Sequence, residues 1–223
     1  MEVASIIALS MGAAWASGIN LYATIFMLGY MASTGNITLP AELEVVANPM
    51  VMTAAGFMYC VEFFADKIPG VDSAWDSIHT FIRIPAGAML ASSAVGDVTP
   101  AIELTTALLG GALAAGSHTT KAGTRLLINT SPEPISNWTA SISEDLIVIG
   151  GLWAALHHPV LFIIGLILFI LFMIWVLPKL WHIIQYLFRR IGSWLGFCEA
   201  PAPISKGSSK SLVSSGQDAD FNP

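Results

Sequence analysis

The stretch VEFFADKIPGVDSAWDSIHTFIRIPAG, residues 61–87, gathers Glu62, Asp66, Lys67, Asp72, Asp76, His79 and Arg83 between two apolar runs. Carboxylates, an imidazole and a guanidinium are the groups that take up protons, pair with counter-charges and hold ions or phosphates. The Pro69-Gly70 turn signal, Asp72 or Ser73 as N-cap and Pro85 as a stop predict a helix of about a dozen residues, half the length of a membrane span. At 100° per residue, Asp72, Asp76, His79 and Arg83 fall within a band of about 60° on that helix, with Trp75, Ile78, Phe81 and Ile82 elsewhere. A second cassette, SHTTKAGTRLLINTSPEPISNW, spaces His118, Lys121, Arg125 and Asn129 by three and four residues, again one helical face. TSPEPISNW then reads as a loop, and SEDLIVIG as a new helix capped by Ser143 with Glu144 and Asp145 in its first turn.

These groups stand in an oily chain. Of 223 residues, 55% are hydrophobic and 11% charged, against about 25% charged in an ordinary soluble domain. Val160 to Leu177, VLFIIGLILFILFMIWVL, carries no charge and matches the length of a helix crossing about 30 Å of hydrocarbon. Other apolar segments run over 4–33, 49–65, 85–95, 101–115 and 146–156, and several of them are short. Helices of eleven to fifteen residues cover roughly 16 to 23 Å, so they must be extended by polar neighbours, be half-helices, or re-enter from one side. The first segment is interrupted by Ser17-Gly18-Ile19-Asn20, which weakens a helix there and predicts either two halves or one kinked helix. ALSMGAAWA (8–16) matches ALLGGALAA (107–115) at five of nine positions, each followed by a polar break; this echo points to two weakly related repeats, a construction of secondary transporters.

The expected fold class is therefore all-α: a polytopic integral membrane helical bundle with short, broken or re-entrant helices. Its domains are a transmembrane region over 1–178, an interfacial amphipathic helix over 179–198, and a disordered cytoplasmic tail over 199–223. Lys179, Arg189, Arg190, Lys206 and Lys210 follow the strongest span and place its C-terminal end in the cytoplasm. The N-terminus shows no basic n-region and should stay attached. Cys60 and Cys198 form no redox pair, and a net charge of −6 spread over the chain indicates no nucleic-acid partner.

Charges inside a membrane are costly and normally face a bundle interior, pair up and mark a pathway. Glu62, Asp66, Asp72 and Asp76 balance Lys67, Arg83, Lys121 and Arg125, four of each sign. The competing reading is that both cassettes are solvated loops. Helical phasing, Glu62 and Asp66 within an apolar run, and the shortness of the flanking segments speak against it.

SGIN, EFFADKIPGVDSAWDSIHTFIRIPAGA and HTTKAGTRLLINTSPEP, followed by SNW, resemble a bacterial membrane-protein family known only as a domain of unknown function, DUF4126, over about residues 5 to 180. The resemblance implies a small polytopic inner-membrane protein and no established activity.

The function expected from the residues is a transporter or lipid translocator for an anionic substrate, for which a phosphate-bearing lipid and a small organic anion both fit. Lys67, Arg83, Lys121 and Arg125, with Asn20 and Asn129, would bind the substrate. Glu62, Asp66, Asp72, Asp76, His79 and His118 would pair charges or carry a coupling proton. The alternatives are divalent-cation transport through the carboxylates and His79, against which Arg83 and Lys67 argue, and a non-catalytic structural or assembly protein. No enzyme motif appears, and no catalytic residue, metal or cofactor is assigned. The partners expected are the bilayer, a small anionic or lipid substrate, and a second copy of the chain in a homo-oligomer.

Overall fold

A computed structural model describes residues 2–68, 70–129 and 134–194. These residues include six α-helices: α1 (Val3–Ser33), α2 (Pro49–Ala65), α3 (Val71–Ala94), α4 (Pro100–Ile128), α5 (Pro134–His157) and α6 (Pro159–Trp194). A 3-10 turn over Ala41–Ala47 precedes α2. Among the described residues there is no strand.

Helix α1 is the hub. It packs against α2, α3, α4 and α5, and the α3–α4 pair forms the most extensive helix contact. Small residues allow that approach: a Cβ at Gly18 would collide with Ser117 Oγ and the Ala114 carbonyl of α4. In a membrane such close backbone packing replaces the hydrophobic drive that water supplies elsewhere. On the other side of α1, Trp15 packs edge-on against Phe162 of α6 at 5.9 Å, with Val148, Leu152 and Ala155 of α5 buried in the same core. Among the described residues, three helices are long and apolar enough to cross a membrane: Val3–Ser33, Ile135–His157 and Pro159–Ile183. The 3-10 turn and α2, bent by 60°, make a fourth candidate. Large apolar side chains such as Phe81, Met89, Leu108, Leu146 and Leu171 point outward, the arrangement expected when lipid is the solvent.

The interruption in α1 falls on Asn20, whose backbone is extended (φ −146°, ψ 98°). Its side chain caps the second half: Asn20 Oδ1 accepts from Ala23 N at 2.9 Å, and Thr24 Oγ1 donates to the Asn20 carbonyl at 2.7 Å. Helix α1 is thus two half-helices joined at one residue, the first of the two outcomes anticipated.

Four expectations are corrected. Pro85 does not stop a half-length helix, because α3 continues through it to Ala94. The ring lies on the exposed side, and the turns beyond it bury Gly87, Leu90, Ala91 and Ala94, so packing outweighs the lost backbone bond. Helix α3 begins at Val71 with Gly70 (φ 88°) as its N-cap, not Asp72 or Ser73. The loop expected up to Ser143 is helical from Pro134 onward, as proline permits in a first turn, so Glu144 and Asp145 lie in mid-helix. The polar stretch after 107–115 is no break either: α4 runs on to Ile128. The short segments are therefore extended by their polar neighbours.

The described residues up to Trp181 form one compact unit, and a second begins at His182. Helix α6 passes through Pro178 to Trp194. The expected interfacial segment is thus helical as a continuation of α6 up to Trp194, and its last residues, with the whole 199–223 tail, lie outside the described residues.

Candidate functional site

Each polar cassette is a buried stripe on a continuous helix. Asp72, Asp76, His79 and Arg83 are all buried on α3, while Ile78, Phe81 and Ile82 are exposed. His118, Lys121 and Arg125 are buried on α4, with Asn129 half-buried at its end. The solvated-loop reading therefore does not describe these residues. The two stripes face each other across the break in α1, and the C-terminal turns of α2 close the site with Glu62 and Asp66.

Three cations sit at its centre. Arg83 donates from Nη2 to Glu62 Oε1 at 2.6 Å and from Nη1 to Asp76 Oδ1 at 3.0 Å. Lys121 Nζ lies 2.9 Å from Asp66 Oδ2, 3.2 Å from Glu62 Oε1, 3.5 Å from Glu144 Oε2 and 3.8 Å from Asp76 Oδ1. Arg125 holds Glu144 through two parallel bonds, Nε to Oε1 at 3.1 Å and Nη2 to Oε2 at 2.7 Å, the strong bidentate geometry of this pair. Its Nη1 donates to the carbonyls of Asp66 and Asn137 at 3.0 and 3.2 Å.

The break in α1 supplies further acceptors. Ala23 N is engaged by the Asn20 side chain, so the Ile19 carbonyl is free to accept from Lys121 Nζ at 3.1 Å. The Gly18 carbonyl lies 3.5 Å from Arg83 Nη1. Helix ends with unpaired carbonyls are natural cation ligands, and here protein side chains take that place.

The ion pairs join four carboxylates, Glu62, Asp66, Asp76 and Glu144, to three cations. Fully ionised, the set carries one surplus negative charge. Glu62 Oε2, Asp66 Oδ1 and Asp76 Oδ2 are buried without a hydrogen-bond partner among the described residues, as is Arg83 Nε. Buried unpartnered oxygens are costly, and a carboxylate in that state gains by binding a proton or a ligand donor.

Neutral groups fix the surroundings. Arg83 Nη1 lies 3.1 Å from His118 Nδ1; because arginine only donates, Nδ1 accepts and the neutral ring carries its proton on Nε2. That proton faces Thr80 Oγ1 at 2.7 Å. His79 has the opposite tautomer, with Nδ1 donating to the Trp75 carbonyl at 2.8 Å and Nε2 accepting from Tyr22 Oη at 3.0 Å. Asn137 Nδ2 donates to Asn129 Oδ1 at 3.0 Å, which orients Asn129 Nδ2 toward both oxygens of Asp72 at 2.9 and 3.0 Å.

Several assigned residues lie beside the ion cluster and not in it. Asp72 forms no ion pair among the described residues; it accepts from Asn129 and from the backbone N–H groups of Gly70 and Ser73. His79 belongs to the Tyr22–Trp75 group. Lys67 is half-buried, donates to the Phe63 carbonyl at 3.0 Å and sits over the Phe63 ring. Burial lowers its pKa, opposed by Asp145 and Asp66. Conversely, Glu144 and Asp145, read as an ordinary helix start, are members or neighbours of the site. Asp145 Oδ1 accepts from Asn20 Nδ2 at 3.1 Å. A crevice of about 160 Å³ reaches the cluster between α1, α4, α5 and α6, bounded by Ser117, Thr120, Lys121, Thr124, Glu144 and Phe169.

Helices apolar and long enough to cross a membrane, packed with a buried, charge-paired centre, fit a membrane-embedded helical protein. The sequence model described as Domain of unknown function (DUF4126) matches residues 7–179, and the chain belongs to that family. No curated protein and no solved structure matches the chain.

Proposed function

We propose that the chain is a membrane transporter or lipid translocator for an anionic, phosphate-bearing substrate, and not an enzyme. The observation that carries this reading is that Arg83, Lys121 and Arg125, all buried, converge beside a broken helix and are held by carboxylates that an incoming anion can replace. Structural ion pairs need one acceptor per cation, whereas here four carboxylates surround three cations and three of their oxygens are unpartnered. A carboxylate that takes up a proton releases its cation, and the freed guanidinium or ammonium binds the substrate's oxygens. The crevice at Lys121 and Glu144 supplies the way in, with Ser117, Thr120 and Thr124 along its wall. The membrane proposed is the bacterial inner membrane, with the C-terminal end cytoplasmic because Lys179, Arg189 and Arg190 lie in the C-terminal part of α6 and Lys206 and Lys210 follow it.

The test is reconstitution of the purified protein into vesicles, with a fluorescent anionic phospholipid in one arm and labelled inorganic phosphate in the other. Movement in either arm, reduced at least about tenfold in Lys121→Gln and Arg83→Gln at equal amounts of folded protein, supports the reading and separates a lipid headgroup from a free phosphate. Equal movement in the variants contradicts it. The reading as a structural or assembly protein draws on the completeness of Arg125's pairing, which resembles a fixed strut; it expects the same substitutions to change protein abundance alone. Cation transport has less support, because among the described residues no three His, Cys, Asp or Glu side chains are grouped to hold a metal ion.

A further inference from the structure

Asp72 and Asp145 both stand outside the site's ion pairs, but Asp72 accepts from Asn129 and two backbone N–H groups, whereas the less fully held carboxylate is that of Asp145. It is 9% exposed, yet among the described residues it forms no ion pair within 4.0 Å. Its Oδ1 accepts from Asn20 Nδ2 at 3.1 Å. Its Oδ2 meets no donor in strict hydrogen-bond geometry among the described residues, and the neutral Tyr59 hydroxyl of α2 lies close enough to the carboxyl group to interact with it. The charged groups around it stand farther off: Glu62 on α2, Lys67 in the turn after α2, Lys121 on α4 and its own neighbour Glu144 on α5. A buried carboxylate held by neutral donors, without a fixed counter-ion, is the chemical form of a reversible proton site.

The partner of Asp145 is also the residue that breaks α1. Asn20 uses its amide nitrogen on Asp145 and its oxygen to cap the second half-helix at Ala23 N. Because that cap replaces the backbone bond across the break, the Ile19 carbonyl is left for Lys121 Nζ at 3.1 Å. One covalent and hydrogen-bonded path therefore runs from Asp145 through Asn20 to the cation cluster. A crevice of about 510 Å³ between α1, α2 and α5, lined by Ala23, Met27, Tyr59, Ile149, Trp153 and His157, brings the surroundings of the helix bundle to Tyr59 and Ala23 beside this pair.

We infer that Asp145 is a proton-binding site, coupled through Asn20 and the break in α1 to Arg83 and Lys121. Its service as the coupling-proton site rests on the transport reading above; the binding of the proton does not. When Asp145 is ionised, the Asn20 amide donates to a charge, and this charge-assisted bond holds the cap and the break in the observed geometry. Uptake of one proton converts the carboxylate to the neutral acid and weakens that bond. Asn20 is then freer to move, and with it the two carbonyls that face the cations. Proton occupancy at Asp145 and substrate occupancy at the cluster thereby bias the same hinge.

The test is pH-difference infrared spectroscopy on the purified full-length protein in lipid vesicles, read at the C=O stretch of protonated carboxyl groups. The wild type should show a titrating carboxyl band that disappears in Asp145→Asn, while bands from the other carboxylates persist. Asn20→Ala, which keeps the carboxyl and removes its donor to the charged form, should retain the band with its midpoint raised by about one pH unit. It also provides a readout should Asp145→Asn fail to fold. A spectrum of Asp145→Asn identical to the wild type, or an unmoved midpoint in Asn20→Ala, overturns the assignment. The two readings fail separately. A protein with the Asp145 band that moves neither phosphate nor anionic lipid loses the transport reading alone; one that moves substrate with an unaltered band in Asp145→Asn loses the proton site alone. With both intact, Asp145→Asn should abolish the dependence of flux on a pH gradient.

Discussion

Arg83 and Lys121, on different helices, meet on one atom: Glu62 Oε1 accepts from Arg83 Nη2 at 2.6 Å and lies 3.2 Å from Lys121 Nζ. Two like charges drawn together in a buried place repel unless an anion lies between them. Glu62, fully buried on α2, therefore ties α3 to α4.

Removing Glu62 while keeping its cations takes away the one anion that Arg83 and Lys121 share, although Asp66, Asp76 and Glu144 still match the three cations in number. Glu62→Gln should lower unfolding stability in detergent by about 3–5 kcal/mol. The double variant Glu62→Gln/Arg83→Met should lose less than the sum of the single changes, with a coupling energy of about 0.5–3 kcal/mol in a double-mutant cycle. Strict additivity would mean that the pair does not interact.

Gly18 marks the closest approach of α1 to α4. Gly18→Ala forces its methyl against Ser117 Oγ and the Ala114 carbonyl and should cost about 1–3 kcal/mol in the same unfolding measurement. Adding Ser117→Ala removes one of the two obstacles and should recover part of the loss. A neutral Gly18→Ala would contradict this packing.

His118 serves Arg83 as an acceptor, not as a second cation. His118→Gln, which retains an acceptor, should stay within about 1 kcal/mol of the wild type. His118→Leu strands the guanidinium N–H and should lose about 1–3 kcal/mol. Equal effects of the two substitutions would remove the tautomer assignment.

The crevice beside Lys121 gives a substitution that separates access from folding. Thr124 is exposed on α4 and lines the opening. Thr124→Trp should reduce substrate movement in reconstituted vesicles several-fold while unfolding stability stays within about 1 kcal/mol, since exposed positions tolerate change. Undiminished movement would exclude this entry route.

Much of the arrangement is legible in the residue spacing. The three- and four-residue intervals of Asp72, Asp76, His79 and Arg83, and of His118, Lys121 and Arg125, place each set on the buried face of its helix. Ser17-Gly18-Ile19-Asn20 marks the break that frees the Ile19 carbonyl. Local rules misled where packing overrode them. Pro85 reads as a stop, but the small residues after it hold α3 against its neighbours. Pro, Ser and Asn between 131 and 137 read as loop, which put the start of α5 nearly ten residues too late and turned Glu144 and Asp145 into helix-start residues. A signal for the correct reading was present: Asn137, Ser141, Asp145, Val148, Leu152 and Ala155, all buried, repeat at three- and four-residue intervals, one stripe that begins polar and ends apolar. Spacing also does not show which charges pair. Lys67 and Asp72 balance on paper, yet Lys67 lies in the turn beyond α2, and Asp72 faces Asn129.

The central claim is that an anionic, phosphate-bearing group displaces the carboxylates around Lys121. Vesicle translocation of a fluorescent anionic phospholipid and of labelled phosphate, compared between the wild type and Lys121→Gln with folded protein matched, tests it most directly. The account predicts movement of at least one probe by the wild type and an approximately tenfold or greater loss in the variant. Equal movement by both proteins, or none by the wild type with either probe, would contradict it.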